Sequence, residues 1–427
     1  MTQTSLTQPL DETPSPAPEV EGAGGKLAAL AAVLVGGIAL SIVTHTFAVV
    51  AFCLAMAAVV MLHEAAHFVA AKKSGMKATE FFFGFGPRLW SVRKGETEYG
   101  IKAIPFGGYV KIIGMSNLER GIDPADEPRT YRQGSYPKRM IVALAGVGTH
   151  FVLAFTLLVV LLSAVGVPNY DKPSLTIGNL SRLDTGPSPA IDAGFKVGDR
   201  VVSVNGNAVT RWDDVPPYIR ESAGQPVSFV VERKGARVEL TAVPTSLQRG
   251  GETRGFIGIG PKASVERLNP LMASGRSVTT IWHLGTGSLA ALGSFFAPGS
   301  LKDYAGQLTN ATSNKPASAD DQRFVSVVGV ARIAGQAAES GAFNVVYLLV
   351  LLNIFIGVFN LVPLLPLDGG HVAIATYERI RSRAGRRYQA DVGKMMPIAA
   401  AVIVVLVLIG VTSIYLDIVK PMANPFQ

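Results

Sequence analysis

The chain has 427 residues, of which 48% are hydrophobic and only 16% charged, and this argues against a wholly soluble or disordered chain because soluble domains are about 25% charged. The single cysteine, Cys53, excludes an internal disulfide framework and a multi-cysteine zinc cluster. The net charge of +8 does not indicate a nucleic-acid partner, because the basic residues lie mostly in loops between apolar runs, as in a membrane protein.

The first third of the chain begins with a polar tail and continues with a long apolar run. Residues 1–26 are rich in Pro, Thr, Ser and Gly, which predicts a disordered tail. The 36 residues from Leu27 to Leu62 carry no charge, and one membrane span needs about 20 residues. We therefore predict two spans, 27–44 and 47–71. The first of these is additional to a core of four. Later charge-free runs predict the other three core spans, at 141–169, 343–367 and 395–416.

The loops between these runs predict the orientation of the chain. Residues 72–139 carry 13 Lys and Arg against 7 Asp and Glu, and residues 371–394 carry 6 against 2. Excess positive charge marks the cytoplasmic side of a membrane. We therefore expect a multi-pass cell-membrane protein in which both loops are cytoplasmic and the segment 170–342 is extracytoplasmic.

The extracytoplasmic segment carries signals of a small β domain. Gly-Pro-Ser-Pro-Ala at 186–190 is followed by an alternating strand, 200–204, and an Asn-Gly turn at 205–206. Strand patterns follow at 227–233, 237–243 and 255–260. The segment 174–262 resembles a PDZ domain. Residues 263–342 mix weak helix patterns with a polar stretch near 309–323, and we treat them as an extracytoplasmic linker region without an assigned fold.

A metal-binding pattern lies inside the second apolar run. His63 and His67 are one helical turn apart, so both imidazoles can reach one zinc ion. Glu64, beside the first histidine, can take a proton from a zinc-bound water without being a ligand. The alternative is that these are buried polar residues that only link helices. A carboxylate inside an apolar span is costly, however, and is expected to have a partner or a task.

A third ligand is predicted from the end of the 343–367 run. Two prolines and two glycines break the helix there, and Asp368 lies within the break at the same expected depth as His67. The alternative for Asp368 is an interfacial helix-end residue. Asn360, eight residues earlier, could hydrogen-bond a substrate backbone or an oxyanion, or could be an interhelical polar contact. His371 is left out as an interfacial residue, and His45 and His283 lack a partner pattern.

Together these motifs resemble the site-2 protease family of intramembrane zinc metalloproteases, in its bacterial branch with one PDZ domain. The match runs from about 47 to 420 through His-Glu-x-x-His at 63–67 and Asn-x-x-Pro with Leu-Asp-Gly at 360–369. The resemblance implies Zn²⁺ held by His63, His67 and Asp368, with Glu64 as the catalytic base and Asn360 as a substrate-positioning residue.

A further stretch resembles the family's β region at the cytoplasmic face. Short strands around 83–100 and 105–111 could pair with an unwound substrate as an added strand, which predicts Gly108, Tyr109 and Val110 as substrate-binding residues. The alternative is a plain amphipathic hairpin. The family's second span often carries Gly-Pro-x-x-Asn, whereas residues 146–150 end in His150, whose role stays open.

We expect an α-helical polytopic membrane protein with four core spans, an extra N-terminal span, an inserted PDZ domain and a small β region. Its domains would be 1–26, 27–168, 174–262, 263–342 and 343–420. The expected function is regulated intramembrane proteolysis of single-pass membrane proteins, anti-sigma factors by analogy, after a first extracytoplasmic cut. One rival is an inactive PDZ-bearing membrane scaffold, which would be indifferent to Glu64→Gln. The other is a transporter with a His and Asp proton relay, which would predict inverted repeats and no zinc.

Overall fold

A computed structural model describes residues 23–425 except 45, 116–118, 120, 170, 182–187, 250–251, 310–322, 383–385, 387 and 423. Most of the predicted tail, nearly all of the polar stretch near 309–323, and His45 lie outside the described residues. The chain forms two compact units. The helical unit comprises Met1–Leu158 and Ser274–Gln427, and the β unit comprises Val159–Ala273.

Helices dominate the described residues. In chain order they are α1 (Ala23–Val43), α2 (Phe47–Lys73), α3 (Tyr136–Val160), α4 (Pro189–Asp192), α5 (Val215–Glu221), α6 (Pro270–Phe295), α7 (Pro298–Thr309), α8 (Val327–Ser340), α9 (Ala342–Asn360), α10 (Asp368–Arg381) and α11 (Met396–Val419). In the described part of the chain, four helical segments are long and apolar enough to cross a membrane, and they contain α2, α3, α9 and α11. These are the four predicted core spans. Helix α1 is apolar over Ala31–Val43, and its crossing stays a prediction.

The local sequence explains where α2 ends and where α3 and α11 begin. Helix α2 ends with Lys72 and Lys73, whose positive charge suits the negative end of the helix dipole. Gly75 follows with φ of +80°, a left-handed conformation that commonly terminates a helix. Pro137 and Pro397 stand in the first turns of α3 and α11, where the missing backbone N–H has no intrahelical partner to lose. The span carrying the two histidines therefore ends at a basic loop, as the charge pattern predicted.

Strands β1 (Ala78–Lys94) and β2 (Thr97–Ile112) form the predicted small β region of the helical unit. Both strands bend, so Phe81 in the first half of β1 pairs with Tyr99 on one side and Val110 on the other. Among the described residues this sheet therefore has two edges, 104–112 of β2 and 88–94 of β1. We call 104–112 the outer strand. An apolar cluster that includes Ala71, Ala78 and Val142 joins the end of α2, the start of β1 and α3.

The β unit contains the remaining strands: β3 (Val167–Asn169), β4 (Ile177–Leu180), β5 (Arg200–Val204), β6 (Asn207–Ala208), β7 (Val227–Arg233), β8 (Ala236–Ala242), β9 (Thr245–Arg249), β10 (Glu252–Phe256), β11 (Ile259–Pro261) and β12 (Ser264–Glu266). Strands β6, β5, β7 and β8 form an antiparallel sheet in that order, and β11 pairs with β4. The apolar core of the β unit includes Val201, Val215, Phe229 and Ile257.

In the β unit one predicted turn is confirmed and one predicted strand is wrong. Asn205 and Gly206 both have positive φ, 49° and 80°, which is the tight hairpin turn that the Asn-Gly pair predicted. The strand predicted at 255–260 is instead split between β10 and β11. Gly258 causes the break, because its φ is +87° and a Cβ there would lie 2.2 Å from the Ser181 carbonyl oxygen.

The segment 263–342, to which sequence analysis assigned no fold, supplies helices α6 to α8. Ile281 and Leu284 of α6 pack on an apolar cluster that contains Ala154 of α3 and Ile354 of α9. Helix α8 contacts α2, α9 and α11. From Ser274 onward this segment is therefore an integral part of the helical unit. Which side of a membrane it faces stays a prediction.

Candidate metal centre

Two imidazoles on one face of α2 begin the site. His63 and His67 are buried, and their Nε2 atoms lie 3.1 Å apart. The one-turn spacing on a regular helix produces this approach. Val59, one turn before His63, and Ala70 are buried as well, so the histidines lie on the face of α2 that is turned into the unit.

The third group comes from the break after α9. The helix ends at Asn360, the chain turns through 361–367, which contains Pro363 and Pro366, and α10 starts at Asp368. The Oδ2 atom of Asp368 lies 3.3 Å from Nε2 of His63, and its Oδ1 atom lies 3.3 Å from Nε2 of His67. The structure thus brings together the three residues that were predicted as ligands.

The spacing of these atoms fits a metal ion. The two imidazole nitrogens are 3.1 Å apart, and each lies 3.3 Å from a different oxygen of Asp368. Ligands at about 2.0–2.1 Å from a tetrahedral zinc ion are about 3.3 Å from one another, so these separations suit a shared zinc ion. Oδ2 of Asp368 is buried and accepts no hydrogen bond from any residue that the structure describes. A buried carboxylate oxygen in this state is expected to face a cation.

A glycine on α3 leaves room for the ion. A Cβ atom on Gly146 would lie 2.3 Å from Nε2 of His67 and 2.5 Å from Cε1 of His63. Any side chain at this position would therefore enter the space between the imidazoles. The absence of a side chain opens a cradle beside the three ligand atoms.

The backbone of α3 also orients one imidazole. Nδ1 of His67 lies 2.7 Å from the carbonyl oxygen of Val142, so this nitrogen carries the proton and donates it. In the neutral ring, Nε2 then keeps its lone pair and faces Asp368. Metal-binding histidines are commonly held by such a second hydrogen bond.

Glu64 is hydrogen-bonded to the outer strand of the β1–β2 sheet. Its Oε2 atom accepts a 3.1 Å hydrogen bond from the backbone N–H of Val110. A Cβ on Gly108 would lie 2.4 Å from Sδ of Met61, which shows how closely this strand approaches α2. Tyr109 donates its hydroxyl to Glu80 on β1. The three residues predicted to bind substrate are therefore on the strand beside Glu64.

The remaining predicted residues are distributed around this centre. Asn360 is the half-buried last residue of α9, eight positions before Asp368. The ring of His371 packs edge-to-face on Tyr131, with centroids 6.0 Å apart, and in the described part of the chain it does not join the group of His63, His67 and Asp368. His283 is exposed on α6.

Sequence reasoning missed several residues that support the centre. It did not find Gly146, the Val142 carbonyl, or the buried ion pair between Arg139 of α3 and Glu378 of α10. The spacing of Arg139, Val142 and Gly146, three and four residues apart, places them on one face of α3 and was an available signal. Nothing in the local sequence indicates the partner of Arg139.

The chain is similar to known proteins over most of its length. A family model described as Peptidase family M50 matches residues 51–406. The Zinc metalloprotease Rip1 of Mycobacterium tuberculosis (strain H37Rv) is 35% identical over 405 residues, which cover 87% of this chain and 97% of that protein. The protein of the same name from Mycobacterium bovis has the same identity and coverage. Its counterpart in Mycolicibacterium smegmatis is 33% identical over 409 residues, or 88% and 98% of the two chains.

Proposed function

The chain belongs to peptidase family M50 and is a zinc metalloendopeptidase, and we propose that it cleaves membrane-embedded proteins within the bilayer. The observation that carries this proposal is the convergence of His63, His67 and Asp368 inside a unit built on long apolar helices. A charged centre at membrane depth is energetically costly, so its presence there indicates a function.

In this proposal, His63, His67 and Asp368 hold the zinc ion. A bound zinc ion supplies Lewis acidity, which polarises a peptide carbonyl and acidifies a water molecule. Glu64 takes the proton of the attacking water and passes it to the leaving amine. Because the Val110 amide binds Oε2 of Glu64, Oε1 is the oxygen that remains available to receive this proton.

The outer strand of the β1–β2 sheet would hold the substrate. The N–H of Val110 points away from β1 and toward Glu64. The antiparallel register is regular from Gly108 to Lys111, so the backbone N–H and C=O of Gly108 also point away from β1. A peptide bond inside a helix is shielded by its own hydrogen bonds. Pairing with this edge would keep an unwound segment extended beside the zinc ligands, with Asn360 as a further contact.

The substrate class follows from the family resemblance and from the β unit. We assign single-pass membrane proteins, anti-sigma factors among them, already shortened outside the membrane. The β unit, which we interpret as a PDZ domain, has a groove of about 210 Å³ between α5 and the segment 255–259, lined by apolar residues such as Trp212, Ile219 and Ile257. Such a groove suits an extended, apolar C-terminus, and the basic loops at 72–139 and 371–394 support an extracytoplasmic position for it.

One experiment tests the proposed cleavage. The wild-type chain and Glu64→Gln are expressed in membranes, and membrane-protein fragments are compared by mass spectrometry. Glu64→Gln keeps the three ligands, so we expect equal zinc content but loss of a defined set of fragments. Identical fragment patterns in the two membranes would reject the protease function and would favour a scaffold.

A further inference from the structure

A third imidazole lies beside the metal centre and has no role in the proposed reaction. His150 is on α3, one turn after Gly146, and only 1% of its surface is exposed. Its ring centroid lies 5.0 Å from that of His63. The one-turn spacing from Gly146 puts His150 on the face of α3 that borders the site.

The orientation of His150 is fixed by a buried amide on α9. Nδ2 of Asn353 donates to the carbonyl oxygen of Leu349 at 2.8 Å, so its Oδ1 atom is left as the acceptor. Nδ1 of His150 lies 3.1 Å from this Oδ1 atom and therefore donates to it. Asn353 is fully buried, and this hydrogen bond holds the imidazole in one ring orientation.

His63 is held less firmly by hydrogen bonds than the other histidine. Nδ1 of His67 is held by the Val142 carbonyl at 2.7 Å, whereas Nδ1 of His63 is buried beside the Gly146 backbone and makes no hydrogen bond of normal geometry to the described residues. Packing therefore contributes more to the orientation of the His63 ring. The His67 ring lies edge-on at 4.7 Å, and the His150 ring lies at 5.0 Å.

We propose that His150, held by Asn353, is a positioning residue that keeps the His63 imidazole directed at the metal ion. The proposal rests on the metal site described above. It assigns His150 a packing role on a ligand, with no contact to the ion and no change of charge.

The rate of zinc release tests this role without requiring a substrate. Full-length, zinc-loaded protein in detergent is mixed with excess EDTA, and metal loss is followed for the wild type, His150→Ala, Asn353→Ala and the double variant. Loss of such a supporting group changes metal affinity by about tenfold to a hundredfold, so we expect faster release of that order from His150→Ala. Asn353→Ala should release zinc faster than the wild type but more slowly than His150→Ala.

The double variant distinguishes a connected pair from two independent contacts. If Asn353 acts through His150, the double variant releases zinc no faster than His150→Ala. Release at the wild-type rate from His150→Ala would overturn the proposal. A double variant whose acceleration equals the product of the two single effects would also overturn it.

Leu158→Ala is the matched control for packing loss. Leu158 is equally buried on α3, two turns beyond His150, in the cluster with Val350 and Ile354. It should lower the melting temperature of the zinc-free protein and leave zinc release unchanged. Equal acceleration by Leu158→Ala would show a general structural effect and would contradict the proposal.

A second substitution covers the case in which His150→Ala does not fold. His150→Phe keeps an aromatic ring beside His63 and loses the bond to Asn353, so we expect faster zinc release, with the melting temperature of the zinc-free protein measured to confirm that the variant folds. Unchanged release would overturn the role of the hydrogen bond. A wild-type chain that retains zinc but cleaves nothing would refute the protease function, while the release comparison would still decide the role of His150.

Discussion

The backbone N–H of Val110 donates a 3.1 Å hydrogen bond to the carboxylate of Glu64, which joins the outer strand of the β1–β2 sheet to the helix that carries His63 and His67. The Val110 amide therefore points away from β1 and toward Glu64, beside the metal centre. Through this bond, the strand that would pair with an extended substrate also fixes the group that would move the proton.

This relationship predicts the effect of proline at position 110. Val110→Pro removes the N–H, so Glu64 loses its hydrogen bond and the strand edge loses one donor. We expect cleavage to fall by about tenfold to a hundredfold while zinc content is unchanged. The measurement is fragment yield against bound zinc in purified protein. Val110→Ala keeps the amide and should cleave at nearly the wild-type rate, and equal rates for the Pro and Ala variants would contradict the prediction.

Gly146→Ala should exclude the metal ion. The added Cβ would lie 2.3 Å from Nε2 of His67, in the space beside the ligand atoms, so we expect little zinc in the purified variant. A Cβ on Gly148, on the same helix, would meet no atom within 4 Å, so Gly148→Ala is the matched control. Retention of full zinc content by Gly146→Ala, measured by elemental analysis, would show that the ion does not use this cradle.

Arg139→Met should destabilise the helical unit strongly. Arg139 and Glu378 are both buried, and a second oxygen of Glu378 accepts from the Ala390 amide. Removing the guanidinium leaves a buried carboxylate without its counter-ion, which costs about 3–5 kcal/mol. Unfolding in detergent should show this loss, and Arg139→Met with Glu378→Leu should recover most of it.

The exposed pair of Lys394 and Asp391 is the control for that experiment. Their side chains are 84% and 60% exposed and lie 3.9 Å apart. Exposed pairs contribute about 0–1 kcal/mol, so Lys394→Met should change stability little. If it destabilised the protein as much as Arg139→Met, the buried pair would have no special role in holding α3 against α10.

The β unit should lose stability in acid through Asp199. Burial raises the pKa of the Asp199 carboxyl, but hydrogen bonds from Arg233 and the Lys196 amide outweigh this effect and leave the pKa below its usual value. The stabilisation is therefore complete above the unfolded-state pKa of about 3.9 and is lost as pH falls through the lower folded-state value.

Asp199→Asn checks this pH dependence. At neutral pH we expect the variant to be less stable by about 1.5–3 kcal/mol, since it loses charged hydrogen bonds. Below pH of about 4 the difference from the wild type should shrink. Hydrogen exchange of residues 175–261 measures both effects within the full chain. Asp213→Asn, an exposed position, should match the wild type, and a constant difference across pH would contradict the assignment to Asp199.

The features that sequence analysis predicted are those with strong local signals. The core spans stand out because an unbroken run of about 20 apolar residues is the length that crosses a bilayer. His63 and His67 were expected on one helical face, and Asp368 was expected to reach them because the break in the chain lies at the matching end of its span. The Asn-Gly turn at 205–206 was predicted because only a few residues tolerate its backbone conformation.

The features that were missed depend on contacts between distant parts of the chain. Arg139 and Glu378 are 239 positions apart, and no local pattern pairs one buried charge with another. Helix α6 mixes small, polar and apolar residues, so its periodicity is weak although it packs on α3 and α9. The two-sided pairing of Phe81 requires β1 and β2 to bend, which alternation of side chains cannot show.

Zinc content is the most direct test of the metal centre. The full chain and the variants His63→Ala, His67→Ala and Asp368→Ala are purified in detergent without chelator, and zinc per chain is measured by elemental analysis, with His371→Ala as control. We predict one zinc ion per chain in the wild type and in the control, and a large loss in each of the three variants. Equal zinc in the wild type and Asp368→Ala, or none in the wild type, would contradict the account.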